Sequence, residues 1–212
     1  MSEIKSEIKT IFWDFDGVIL NSQNIRAYGF RKIFEGFDSD SVERLIEYHF
    51  KNGGISRFHK IEYFFKEILG RDITQDRIED YASEFSEIMK RELFNKKFII
   101  TDTLAFIKEN YKNYNFYITS GAEHNELNLL CDKLELRQYF ISIHGSPTLK
   151  EIILANLLKE NAYKPSECVL IGDSYKDYKA ASANGINFYG YNNESLKKVS
   201  KIYIDTFEGF KI

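Results

Sequence analysis

The chain has 212 residues, with 29 Lys and Arg against 32 Asp and Glu, 43% hydrophobic and 29% charged, the balance of a protein that buries its own core as one large domain or a domain with a modest insert. A formal net charge of -3 offers no broad cationic field to a nucleic-acid backbone, and no run approaches the ~18 apolar residues that span a bilayer, so neither nucleic acid nor membrane is expected as a partner.

In chain order, the N-terminal stretch MSEIKSEIKT lacks the continuous apolar segment of a secretory signal, and a cytoplasmic location is expected. A short apolar run then predicts a buried strand over Thr10 to Trp13. It ends in Asp14-Phe15-Asp16-Gly17. Strand periodicity turns both carboxylates to one side. Paired carboxylates suit a hard cation such as Mg²⁺, and the glycine permits a sharp bend. An EF-hand would need an oxygen ligand in place of Phe12, which leaves a solvated turn as the bland alternative.

From Gln23 to Leu93 the pattern is almost entirely helical, as in HKIEYFFKEILG, where Ile61, Phe64, Phe65, Ile68 and Leu69 share one face. A parallel crossover needs only about a dozen residues, so the surplus predicts a helical unit inserted after the first strand, over the carboxyl ends of the sheet. The expected division is 1–22 and 94–212 for the core and 23–93 for the insert. Within the insert, Arg57, His59 and Lys60 follow a Gly53-Gly54 bend where an anionic substrate can be met. His59 and Lys60 read more readily as solvated helix positions, and Tyr63, Phe64 and Phe65 as core of the insert.

A helix is predicted over Thr103 to Asn110 and a strand over Phe116 to Ile118. That strand runs into Thr119-Ser120-Gly121, whose hydroxyls and backbone N–H groups can face an anion, although hydroxyls at a strand exit are more often turn residues. A further strand is expected over Phe140 to Ile143. Gly145 to Lys150 then leads into a helix over Lys150 to Glu160, where Lys150 in the first turn opposes the helix dipole and invites a functional reason. Next comes a strand over Val169 to Ile171, followed by Gly172-Asp173 and, four residues on, Asp177. Asn184-Gly185 closes the intervening helix. Strands over Phe188 to Tyr189 and Ile202 to Ile204 complete an alternation that predicts an α/β fold with a parallel sheet covered on both faces. Cys131 and Cys168, without CxxC or a nearby His pair, read as buried thiols.

The order Asp14-x-Asp16-Gly17, Thr119-Ser120, Lys150, Gly172-Asp173-x-x-x-Asp177 resembles the haloacid dehalogenase-like hydrolase superfamily, whose Rossmann-like members mostly hydrolyse phosphate esters. The helical insert is similar to the family's C1 cap, as in phosphoglycolate phosphatase and β-phosphoglucomutase. The resemblance implies Asp14 as nucleophile, Asp16 as acid/base, and Thr119 and Lys150 on the phosphoryl group. It further implies Mg²⁺ held by Asp14, Asp173 and a backbone carbonyl of Asp16, with Asp177 holding Lys150 or reaching the metal through water. Ser120, Gly121 and Arg57 complete the expected substrate contacts. The implied function is a Mg²⁺-dependent phosphatase acting on a small phosphorylated metabolite through an aspartyl-phosphate.

Dehalogenases of this superfamily generally lack an acid at the position of Asp16, so phosphoryl chemistry is favoured. A β-phosphoglucomutase-like phosphomutase is the alternative, because Lys51 to Arg57 resembles the mutase cap segment. The histidine that the mutase carries after its DxDG is Arg26 here, which favours hydrolysis. A non-catalytic phospho-ligand binding protein is the third reading, weakened because every core motif position is filled.

Overall fold

The computed structural model describes residues 7–212; the charged segment at residues 1–6 lies outside the described residues. Six strands, β1 (Thr10–Trp13), β2 (Asn115–Glu123), β3 (Ser142–Ser146), β4 (Cys168–Gly172), β5 (Asn187–Tyr191) and β6 (Ile202–Ile204), form one sheet in the order β3-β2-β1-β4-β5-β6. Every pairing is parallel. β1 is wholly buried and lies between β2 and β4. The chain winds from β1 toward β3 on one side and returns through β4 on the other, so the ends of β1 and β4 flank the topological switch point.

The pleat divides the core in two. Ile11 and Trp13 of β1, with Phe116, Ile118, Val169 and Ile171, face α5 (Thr101–Asn110) and α6 (His124–Lys133) through Phe106, Ile107, Leu127 and Leu130. Phe12, Tyr117 and Leu170 point the other way, onto α7 (Lys150–Glu160) and α8 (Tyr175–Ala183) through Ile153, Leu154, Leu157 and Ala181. Cys131 and Cys168 are free and buried.

Between β1 and α5 the chain forms α1 (Gln23–Ile33), α2 (Ser39–Lys51), α3 (Arg57–Tyr63), a π turn (Phe64–Ile68) and α4 (Gln75–Leu93). Phe30 against Phe85 (4.6 Å between ring centroids) and Phe34 stacked on Phe64 (4.1 Å) form its apolar centre. Leaving and returning segments are stitched together by Asn21 N donating to Phe98 O at 2.7 Å and Ile100 N to Ile19 O at 2.9 Å. Two expectations need correcting. The third strand begins at Ser142 rather than Phe140, and Ile141 is 61% exposed. The second strand does not end before Thr119 but runs through Thr119-Ser120-Gly121 to Glu123, whereas the five apolar residues of HKIEYFFKEILG do pack on one core, Ile61 and Phe64 fully enclosed and Phe65, Ile68 and Leu69 partly buried around a π turn.

Among the described residues, no helix is long and apolar enough to cross a membrane.

Candidate active site

Asp14 directly follows β1 and is 2% exposed. Its backbone N–H continues the sheet by donating to Ile171 O at 2.9 Å, and this places its carboxylate beside the end of β4. Lys150 begins α7 and is likewise buried; its Nζ donates to Asp14 Oδ1 at 2.8 Å and also to Asp177 Oδ1. The awkward cation at a helix start thus serves two buried carboxylates. Burial works against the ammonium, but Asp14 and Asp177 more than offset this and hold its pKa above the ordinary lysine value.

Asp177 is anchored on both sides. Its Oδ2 accepts from Ser174 N at 3.0 Å and Ser174 Oγ at 2.6 Å, while its own N–H donates to Ser174 Oγ at 3.2 Å, a reciprocal cap on α8. Both its oxygens are therefore engaged. Asp173, after β4, is not so engaged: its Oδ1 is buried without a hydrogen-bond partner among the described residues. A Cβ at Gly17, where φ is +86°, would lie 2.0 Å from Asp173 Oδ2, so this bend admits only glycine.

One carboxylate oxygen from each of Asp14, Asp173 and Asp177 lies within 4.8 Å of the others. Three acids around one lysine repel. Burial, then Asp177, push the Asp14 carboxyl up to about 7 against the pull of Lys150, and burial with Asp14 and Asp177 raises Asp173 well above the usual carboxylate range. A buried anion surplus with an unpartnered oxygen is what a hard divalent cation resolves, and Asp14 and Asp173 can hold one. The side chain of Asp16 stands outside this group. It accepts from Ser22 Oγ and, at 2.7 Å, from Arg26 Nε.

Thr119, inside β2, is fully buried with its Oγ1 unpartnered among the described residues. Ser120 follows, its Oγ accepting from Ala122 N at 3.1 Å. Gly121 touches the inserted helices: a Cβ there would meet Gly54 O at 2.4 Å. A cavity of about 40 Å³ lies between the two layers, bordered by Asp14, Asp16, Arg26, Arg57 and Lys60, with room for a few waters. Beside it a cleft of about 490 Å³ reaches Ser120, Gly121 and Lys150 from the surface.

Arg57 is buried on the cavity wall, its Nη1 donating to Ser86 Oγ and Glu126 Oε2, each at 2.6 Å. His59 is exposed, as a solvated helix position should be, but Lys60 is only 4% exposed. Closure of the helices over the sheet hides it. Its Nζ donates to His49 Nδ1 at 2.9 Å, and His49 Nε2, 3.2 Å from Gln23 O, must carry the ring proton because a carbonyl only accepts. Burial, with help from Arg26, lowers the Lys60 amine to about 7.

Replacing Lys60 by Met is expected to stabilise the protein at pH 7, because it removes a buried amine that burial makes costly to charge. The folded-state pKa lies below the unfolded one, so the unfolded chain binds more protons between about 7 and 10.5 and wild type gains stability over that window. The advantage of Met should therefore fade toward pH 10. Urea unfolding of both proteins at pH 7 and pH 10 checks this.

Ser22, His49 and Glu126 carry no sequence motif, and the structure alone places them at the site. Arg26 was distinguished only by what it replaces. A distant carboxylate in a helix first turn, as at Glu126, gives no local signal that it will meet two arginines.

No curated protein matches the sequence. Similar solved structures include a β-phosphoglucomutase from Clostridium difficile (TM-score 0.78, 18% identity, 97% of this chain and 94% of that one). A protein described as a predicted phosphoglycolate phosphatase from Haemophilus somnus gives TM-score 0.73 at 14% identity, over 94% and 95% of the two chains. A HAD-hydrolase from Bacillus subtilis, bound to magnesium and described as revealing interdomain movement, gives 0.69 at 17% identity, over 96% of each. At these identities the likeness shows the fold. The sequence itself matches a family profile, haloacid dehalogenase-like hydrolase, over residues 11–191, so the chain belongs to the haloacid dehalogenase-like hydrolase family.

Proposed function

We propose that the protein is a Mg²⁺-dependent phosphatase that hydrolyses a small phosphorylated metabolite through an aspartyl-phosphate on Asp14. The observation that carries this reading is the convergence, at the sheet's switch point, of Asp14 held by Lys150 with the unpartnered Thr119 Oγ1 and Asp173 Oδ1. An anionic nucleophile approaching an anionic ester meets about 4 kcal/mol of repulsion per unit-charge pair at 4 Å and an effective dielectric of about 20. Lys150 and the Thr119 hydroxyl offset this by taking charge from the equatorial phosphoryl oxygens. Bound by Asp14 and Asp173, Mg²⁺ would supply further neutralisation of that charge.

In the first step an oxygen of Asp14 bonds to phosphorus as the ester P–O bond breaks, and Asp16 delivers a proton to the departing oxygen. A water oxygen then bonds to the same phosphorus, its proton passes to Asp16, and the bond from phosphorus to Asp14 breaks to release inorganic phosphate. Arg26 exchanges no proton near neutral pH, so it orients Asp16 and leaves the transfer to it. The inserted helices, residues 23–93 in this reading, act as a lid. A cavity of about 40 Å³ holds no metabolite by itself, and lifting the lid would join it to the cleft of about 490 Å³ beside it. The interdomain movement and magnesium of the Bacillus subtilis neighbour accord with both points.

The test is Mg²⁺-dependent release of inorganic phosphate, first from p-nitrophenyl phosphate and then across a panel of phosphorylated metabolites. β-Glucose 1-phosphate, with and without a trace of glucose 1,6-bisphosphate, belongs in the panel. Glucose 6-phosphate accumulating much faster than free phosphate would replace the phosphatase reading with the mutase one.

A further inference from the structure

Glu126 lies in the first turn of α6, on the core side, with its side chain fully buried. A carboxylate removed from water is costly unless paired and hydrogen-bonded. Each of its oxygens takes a guanidinium from the inserted helices: Oε1 accepts from Arg26 Nη1 at 3.2 Å and Oε2 from Arg57 Nη1 at 2.6 Å. Arg57 is fixed from its own side by Ser86 Oγ on α4 and by the Phe85 ring, whose centroid is 4.7 Å from the guanidinium carbon. Arg26 carries the connection on to Asp16 at 2.7 Å. An unbroken chain of contacts thus runs from Ser86 through Arg57, Glu126 and Arg26 to Asp16.

We propose that Glu126 is a positioning residue that latches the closed lid: the core carboxylate receives both lid arginines on closure and, through Arg26, fixes the Asp16 carboxylate for proton transfer. The role of Asp16 rests on the phosphatase reading above; the latch itself does not. Lifting the lid withdraws α1 and α3 with their arginines, so Glu126 passes to water and Asp16 loses its guanidinium. Proton delivery is then confined to the closed, dry form. Arg57 keeps a second nitrogen, Nη2, buried on the cavity wall and without a partner among the described residues.

Glu126→Gln keeps the shape and one acceptor but removes the charge that two arginines share. The ratio kcat/KM covers steps only through formation of the aspartyl-phosphate. It should fall about 10²-fold for an alkyl ester such as glycerol phosphate, whose leaving oxygen needs a proton. For p-nitrophenyl phosphate, whose phenolate departs without one, the fall should stay below about 5-fold. A residue that merely holds the fold would slow both substrates alike. In parallel, small-angle X-ray scattering should find the variant more extended than wild type. Arg57→Met, which breaks the lid side alone, should open the molecule in the same way and serves if Glu126→Gln does not fold. Equal losses on both substrates with an unchanged scattering profile would overturn the latch. If wild type hydrolyses neither ester, the phosphatase reading fails, and the scattering comparison still decides whether Glu126 holds the lid.

Discussion

Asp14→Asn is expected to abolish turnover, by at least about 10⁴-fold, while leaving the protein as stable as wild type or more so. The loss follows from removing the attacking anion, for which an amide of the same shape is no substitute. The stability half is less intuitive. The Asp14 carboxyl is raised to about 7 by burial and by Asp177, so it is costly to keep charged despite Lys150. A group whose folded pKa exceeds its unfolded one contributes stability in acid that is lost as the pH rises through the folded value. Wild type should therefore lose stability between about pH 4 and pH 7 on account of this residue, and the amide removes that loss. Thermal melts in EDTA at pH 4 and pH 7, beside a phosphate-release assay, test both halves. A rate near wild type would remove Asp14 from the chemistry.

Lys150→Met should do the opposite to stability. Asp14 and Asp177 are buried and share this ammonium. Removing one partner of a buried ion pair typically costs about 3–5 kcal/mol because the remaining charge is uncompensated. For a chain of this size that corresponds to a fall in Tm of roughly 6–20 °C. Activity should fall as well, by about 10²–10³-fold, the usual loss when one donor to developing charge is deleted. Because the defect is surplus negative charge, Mg²⁺ should recover part of the lost Tm without restoring the rate. Melts with and without Mg²⁺ measure this, and a variant as stable as wild type in EDTA would show that the carboxylates do not depend on the lysine.

The sequence disclosed those parts of the molecule whose cause is local. β1, β6 and α7 carry the bounds read from their apolar runs because each run stops at residues that cannot remain in its layer. The four motif acids, the hydroxyl and the lysine were visible for a similar reason: each lies in or just beyond the carboxyl-terminal part of a buried strand, or in the first turn of a helix. β3 was displaced because it is the edge of the sheet, where His144 and Ser146 pair with β2 on either side of a register shift, without apolar side chains to mark them. The burial of Lys60 arises from the insert folding over the sheet, which no local periodicity encodes. The Glu126 contacts join residues 69 and 100 positions apart, and charged residues so separated look like solvated surface until the fold brings them together.

Gly54 and Gly121 press backbone to backbone where the inserted segment meets β2, and a Cβ on Gly54 would in turn come within 2.9 Å of Ser174 Oγ. This contact is steric, so unlike the ionic one at Glu126 it is indifferent to salt and pH. It acts as a clearance gauge. A methyl at Gly121 would meet Gly54 O and push the two layers apart, and one at Gly54 would press on the start of α8 at Ser174. Drift at these two glycines would change how closely the layers meet without altering any of the acids, the hydroxyl or the lysine gathered beneath them.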